Sequence, residues 1–217
     1  MIKRIGRHKV RHGDVHNSEG IDKLLEGVSA DIYYTDPPWG SPTIKYFDTL
    51  NRKQNEGAGS TGNFDVDIFL KIILARAVEV SKGWVVVEYG KNWVDKVKQF
   101  ADEAGLIFCG QVEALYANNL PLEIMFFRVD AYEDINLSSI YHLKGYKCTL
   151  AIFKLLRPTS GGVGVDLCCG MGFTAQACID TGLSFVGNEL NAARLEKTIA
   201  RLNKDAKNKK LKFGSRK

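Results

Sequence analysis

The sequence predicts an α/β protein built on one mostly parallel sheet with helices on both faces. Three observations predict it. Strand-like apolar runs alternate with segments of helical periodicity along the chain. One pair of runs is joined only by "ANNLPL", too short for a helical crossover, so that pair forms an antiparallel hairpin. Near the C-terminus, "VGVDLCCGMGFTA" passes from strand through glycine loop to helix, the order of a nucleotide-binding turn.

Taken in order, strands are expected at about 8–14, 30–35, 83–89, 106–116, 123–129, 162–168 and 183–188. Helical patterns fall at 66–81, 92–104, 147–156, 173–181 and 191–205. A short helix over "GIDKLLEG" is capped by Asn17 or Ser18. Asp65 and Asp67 read as the start of the helix that follows them. The stretch 49–63, rich in Gly, Ser and Asn, reads as a loop beside a site. There is no internal repeat and no dividing linker, so residues 1–217 are expected to form one domain, with 206–217 as a basic tail.

With 45% hydrophobic and 25% charged residues, the composition is that of a soluble globular protein, which sets aside disordered and membrane classes. No apolar run approaches a membrane span and the N-terminus has no signal-peptide pattern, so a cytoplasmic protein is expected. Five cysteines without a CxxC pair fit free thiols in a reducing compartment. The net charge of +5 is concentrated at the ends. Residues 1–12 carry five basic side chains and no acid, and 204–217 carry seven against Asp205. Such ends attract phosphate backbones. His8, His12 and His16 recur every fourth residue, but Gly13 and the strand context argue against a helix. No Cys or acid cluster completes a metal site, and none is expected.

Two motifs carry the chemistry. "SADIYYTDPPWG" reads as a buried strand stopped by two prolines, which stiffen a turn holding Asp36, Pro37, Pro38 and Trp39. In the second, Gly170-Met171-Gly172-Phe173-Thr174-Ala175 fits G-x-G-x-x-A. Glu189 closes the next strand, 23 residues after Asp166, where such folds hold a ribose by its hydroxyls. The cofactor is therefore one containing adenosine, and the motif by itself admits a dinucleotide.

The DPPW turn together with the glycine loop resembles the amino-methyltransferases that methylate exocyclic amines of nucleic-acid bases with S-adenosylmethionine. The catalytic motif precedes the cofactor loop by about 130 residues, an order similar to the circularly permuted beta class of DNA methyltransferases. The likeness runs from about residue 12 to residue 202. It implies a seven-stranded sheet, S-adenosylmethionine as cofactor, duplex or single-stranded DNA as partner, and a bacterial or phage setting in restriction–modification. Homodimers are frequent in the family.

By the same resemblance, Asp14 of "HGD" contacts the adenine of the cofactor, and Asp166, Gly170, Gly172 and Glu189 form the rest of its site. Asp36, Pro37, Pro38 and Trp39 are catalytic. Tyr116 borders the target-base pocket together with Trp39. The helix after "YHLKGYK" holds the methionine moiety. Cys168 stands where the family has Phe, and Asn118 where it has Lys. Only about twenty residues, 128–147, occupy the place of the usual target-recognition domain, so sequence specificity is expected to be slight or to come from the 41–63 loop or a partner.

The expected function is methylation of adenine N6 in DNA. Cytosine N4 is the alternative, although that group usually has Ser in place of Asp36. An RNA adenine methyltransferase shares DPPW but has a different motif order. An NAD-dependent oxidoreductase would leave DPPW without a role, and a non-catalytic nucleic-acid-binding subunit would leave Asp36 without one.

Overall fold

The computed structural model describes residues 1–38, 65–116, 119–159 and 161–214, without the side chains of 208–214. Trp39, Asn118 and the 49–63 loop lie outside the described residues. The strands are β1 (Ile2–Ile5), β2 (His8–His12), β3 (Ala30–Thr35), β4 (Ser81–Gly90), β5 (Ile107–Leu115), β6 (Pro121–Arg128), β7 (Val163–Asp166) and β8 (Ser184–Glu189). The helices are α1 (Ser18–Leu25), α2 (Val66–Val80), α3 (Val94–Glu103), α4 (Gly145–Leu156), α5 (Phe173–Thr181) and α6 (Ala192–Gly214).

All eight strands form one sheet in the order β1-β2-β8-β7-β3-β4-β6-β5. The five strands from β2 to β4 in that order are parallel. The β5–β6 hairpin is antiparallel, as expected, with Leu115 opposite Pro121. The count differs from the expected seven. The basic N-terminal stretch forms its own strand, β1, antiparallel to β2 and folded back at Gly6 (φ 56°). Its charges hide it from an apolar-run reading, and Lys3 and Arg4 also suit an exposed sheet edge. β2 ends at His12, so Asp14 lies past the strand and not at its end as the 8–14 expectation has it. The last strand before the glycine loop likewise stops at Asp166, short of residue 168. The last helix runs beyond 205 to Gly214, through the start of the basic tail.

Successive residues of the central strands feed opposite layers, which is why these strands read as unbroken apolar runs. Tyr34, Val86 and Phe126 pack with Phe153 of α4, Ala177 of α5 and Leu195 of α6. Tyr33, Val85, Val87 and Phe127 pack with Leu24 of α1, Ile73 of α2 and Phe100 of α3. Each large side chain fully buried here contributes roughly 1.5–3 kcal/mol. Helix starts follow the sequence signals. Asp65 accepts from the amides of Asp67 and Ile68 at 2.9 and 3.1 Å, and Asn17 accepts from Gly20 at 2.8 Å.

Candidate active site

Parallel strands point their carboxyl ends to one edge, and the sequence-predicted residues gather there. Asp14 follows β2, Glu189 ends β8, Asp166 ends β7 and Asp36 follows β3. Strands β7 and β3 are neighbours whose following helices, α5 and α2, lie on opposite faces. This is a topological switch point, where open α/β sheets place ligands.

The glycine loop is tied by its own acids. Asp166, 2% exposed, accepts from the amide of Cys168 at 2.9 Å and the Thr174 hydroxyl at 2.6 Å. Glu189 accepts from the amides of Gly170 and Asn191, both at 2.8 Å. The hydroxyl of Thr198 on α6 donates to the Gly170 carbonyl at 3.0 Å. Gly170 and Gly172 have φ of 50° and 84°, the left-handed region. A Cβ on Gly172 would lie 2.6 Å from Thr198 Oγ1, whereas one on Gly170 would meet nothing closer than 3.9 Å. Gly172 therefore lets α6 approach, and Gly170 leaves open space in front of the loop. Met171, Phe173 and Leu190 expose apolar surface around it.

On the other side of the switch point, Asp36 is exposed, Pro37 buried and Pro38 half-buried. The buried Tyr89 of β4 donates its hydroxyl to the Pro38 carbonyl at 2.8 Å and meets Trp93 edge-on. Burial, with Asp36 adding, keeps the Tyr89 hydroxyl protonated. Tyr116 lies just past β5 at the same edge, its amide bonded to the Leu120 carbonyl.

Sequence reasoning passed over Glu88. It lies near the end of β4 and accepts a hydrogen bond from Tyr34, two residues before Asp36. Burial raises its pKa. An acid inside "GWVVVEYG" was the available signal, because a charge in a buried central strand needs a reason. Burial also pushes Asp166 up to about 7, with the Glu189 and Glu88 charges adding and the Thr174 and Cys168 hydrogen bonds opposing. Every hydrogen bond given above for Asp166, Glu88 and Glu189 comes from a neutral donor. None of the three forms a salt bridge among the described residues. These three carboxylates at the sheet's edge are thus held by neutral donors among the described residues.

Asn188 was also passed over. Its buried amide donates to the carbonyls of Gly13 and Leu167, joining the exits of β2 and β7, and its oxygen accepts from Arg11. The three spaced histidines have separate partners: Asp205 for His8, the Leu190 carbonyl for His12 and Asp14 for His16. Burial, with Asp166 next, pushes the Cys168 and Cys169 thiols up, so both stay protonated and weakly nucleophilic.

No protein-family model and no curated protein matches the chain by sequence. Solved structures match it by fold. The crystal structure of M1.HpyAVI aligns with a TM-score of 0.64 at 15% identity, over 89% of this chain and 98% of that one. The M1.HpyAVI–SAM complex gives 0.65 over the same shares, also at 15% identity. TTHA0409, a putative DNA modification methylase from Thermus thermophilus, gives 0.64 at 12% identity, over 92% and 96%. The cytosine-N4-specific PvuII DNA methyltransferase gives 0.54 at 12% identity, over 92% and 93%. The chain has the fold of these methyltransferases.

Proposed function

We propose that the chain is an S-adenosylmethionine-dependent DNA methyltransferase acting on an exocyclic amine, adenine N6, as one domain without a separate recognition module. The observation that carries this reading is the placement of a glycine loop and an Asp-Pro-Pro turn on adjacent parallel strands at a switch point. Two of the similar structures are bound to S-adenosylmethionine, which supports that cofactor. The carboxylates of Asp166, Glu88 and Glu189, which form no salt bridge among the described residues, suit a ligand bearing a sulfonium and an ammonium.

The residues present fit this cofactor. Gly170 leaves room for close approach, and Glu189 keeps lone pairs for ribose hydroxyls beside its two amide bonds. Asp14 would face the adenine, and Glu88 would meet the ammonium. When bound, the cofactor supplies an electrophilic methyl group.

The amine of adenine is a poor nucleophile because its lone pair is delocalised into the ring. Asp36 and the Pro37 carbonyl would accept its two N–H bonds and favour a tetrahedral nitrogen. Once the amine is methylated, its surplus proton would pass to the Asp36 carboxylate and from there to solvent. Trp39 and Tyr116 would stack on the extruded base. No cysteine is needed, in keeping with the protonated thiols. Between β6 and α4 the chain has only residues 129–144, which supports slight sequence specificity.

The test incubates the protein with labelled S-adenosylmethionine and duplex DNA, single-stranded DNA or RNA of mixed sequence, then identifies nucleosides by mass spectrometry. N6-methyladenine in DNA is expected. N4-methylcytosine would keep the mechanism and move the base, as the likeness to the PvuII enzyme allows. No methylated nucleoside in any polymer would overturn the reading.

A further inference from the structure

Arg11 has no role in the chemistry above, yet it is a cation only 5% exposed on β2, next to the edge strand β1. Burying a guanidinium is costly unless an anion meets it. Only Nη1 is engaged: it donates to Asn188 Oδ1 at 2.6 Å and to the Asp14 carbonyl at 3.1 Å. Among the described residues, Nε and Nη2 have no hydrogen-bond partner, and Arg11 forms no salt bridge. The Asp14 carboxylate is the charge that opposes its desolvation, and that carboxylate is turned to His16. Bracing Asn188 and Asp14 needs a neutral donor only. The Nε–Nη2 edge is left facing solvent, with no acceptor from the described residues.

The surroundings supply what that edge lacks. Arg11 lines an open cavity of about 350 Å³ together with Asn17, Glu19, Gly20 and Lys23, with Met1 and Ile2 of the N-terminal stretch forming an apolar side. Its guanidinium is packed so closely against Gly20 that a Cβ there would lie 2.3 Å from Nη2. The N-terminus of α1 adds the positive end of a helix dipole. Glu19 is the one acid in this lining, and its mostly exposed side chain is paired with Lys23 at 2.6 Å. In register, Ile2 faces Arg11 and His12 faces Glu189, so the cavity opens at the same edge as the cofactor loop. Strand β2 is three strand spacings from β3, roughly 14 Å from the Asp36 turn.

We propose that this cavity is a phosphate site in which the Nε–Nη2 edge of Arg11 takes two oxygens of one phosphate group, with Lys23 at the rim. A planar guanidinium fork matches a phosphate in this bidentate way. Free phosphate and a nucleic-acid phosphodiester share the chemistry. The position on the edge, within the width of a duplex from the Asp36 turn, favours the backbone. That choice of source rests on the function proposed above; the oxyanion site does not.

The test follows the Arg11 Nε–H resonance in the full chain labelled with nitrogen-15 arginine, assigned by its loss in Arg11→Lys. Inorganic phosphate is titrated against chloride at constant ionic strength, and then a mixed-sequence duplex. A saturable shift is expected with both, the duplex acting at concentrations about a hundredfold lower because it gathers many phosphates. Gly20→Ala should lose both responses while its circular dichroism stays native. If that variant does not fold, Lys23→Gln takes its place and should weaken both responses several-fold. A response to phosphate alone would keep the oxyanion site and overturn the backbone as its source. No response to either by the folded protein would overturn the proposal. A normal Arg11 response in a protein that methylates nothing would count against the function proposed above and leave this site standing.

Discussion

The two turns that follow β7 and β3 lie side by side and are held rigid in opposite ways. The loop after β7 is tied by hydrogen bonds, with Asp166, Glu189 and Thr198 all closing onto its backbone. The turn after β3 is stiffened by two proline rings, braced from below by Tyr89. Hydrogen bonds consume polar groups, whereas proline rings do not. The glycine loop therefore offers a shaped backbone, and the proline rings stiffen the Asp-Pro-Pro turn without drawing on a carboxylate or a carbonyl. If this division holds, changes in one turn should alter binding and changes in the other should alter transfer.

The largest effect is expected from Asp36→Ala. Methyl transfer should fall by about a thousandfold, as when a principal transition-state acceptor is lost, with cofactor affinity by calorimetry within about twofold. Normal turnover would end the mechanism. Gly172→Val is the mirror case. Its φ of 84° and a Cβ 2.6 Å from Thr198 Oγ1 should together cost about 3 kcal/mol of stability and weaken the cofactor at least about tenfold. Gly170→Ala, with its Cβ in open space, should cost about 1 kcal/mol by denaturant melt. Equal costs at the two glycines would show that the approach of α6 is not what Gly172 serves.

Next comes the pH response of the tied side. Burial raises Asp166 to about 7, so between about pH 4 and pH 7 the native protein holds a proton that the unfolded chain has lost. Stability then falls as pH rises through that window and levels off above it, by a few kcal/mol in all. Asp166→Asn should flatten this slope in urea melts taken from pH 4 to pH 8. A cationic cofactor favours the ionised form, so its affinity should rise with pH up to about 7. An affinity that falls instead would point to an anionic ligand.

The same division explains what could be read in the sequence. Asp166, Gly170, Gly172 and Glu189 were legible because one short segment and the next strand end carry them. Asp36 and its prolines were legible because their residue types are unusual after a strand. Glu88, Tyr89 and Asn188 were not, since each acts through a partner on a neighbouring strand or turn: Tyr34, Pro38 and Gly13. Pairings of that kind depend on the order of strands in the sheet, which local patterns do not contain. β1 was missed for a different reason. It is a four-residue edge strand in which Lys3 and Arg4 separate two isoleucines, and apolar periodicity does not detect so short and interrupted a run.

Tyr89→Phe should give the smallest effect and test the division most closely. The change removes only the hydroxyl that donates to Pro38 at 2.8 Å and leaves the ring against Trp93. Losing one such bond costs about 1 kcal/mol, which for a chain of this size lowers Tm by about 2–4 °C. If the bond serves to aim the turn, kcat should fall about fivefold to tenfold while KM for the cofactor stays put. A loss of stability with unchanged kcat would mean that the proline rings alone hold Asp36 in place. An equal loss in cofactor affinity would mean that the two turns move together, and that the separation of binding from transfer does not hold.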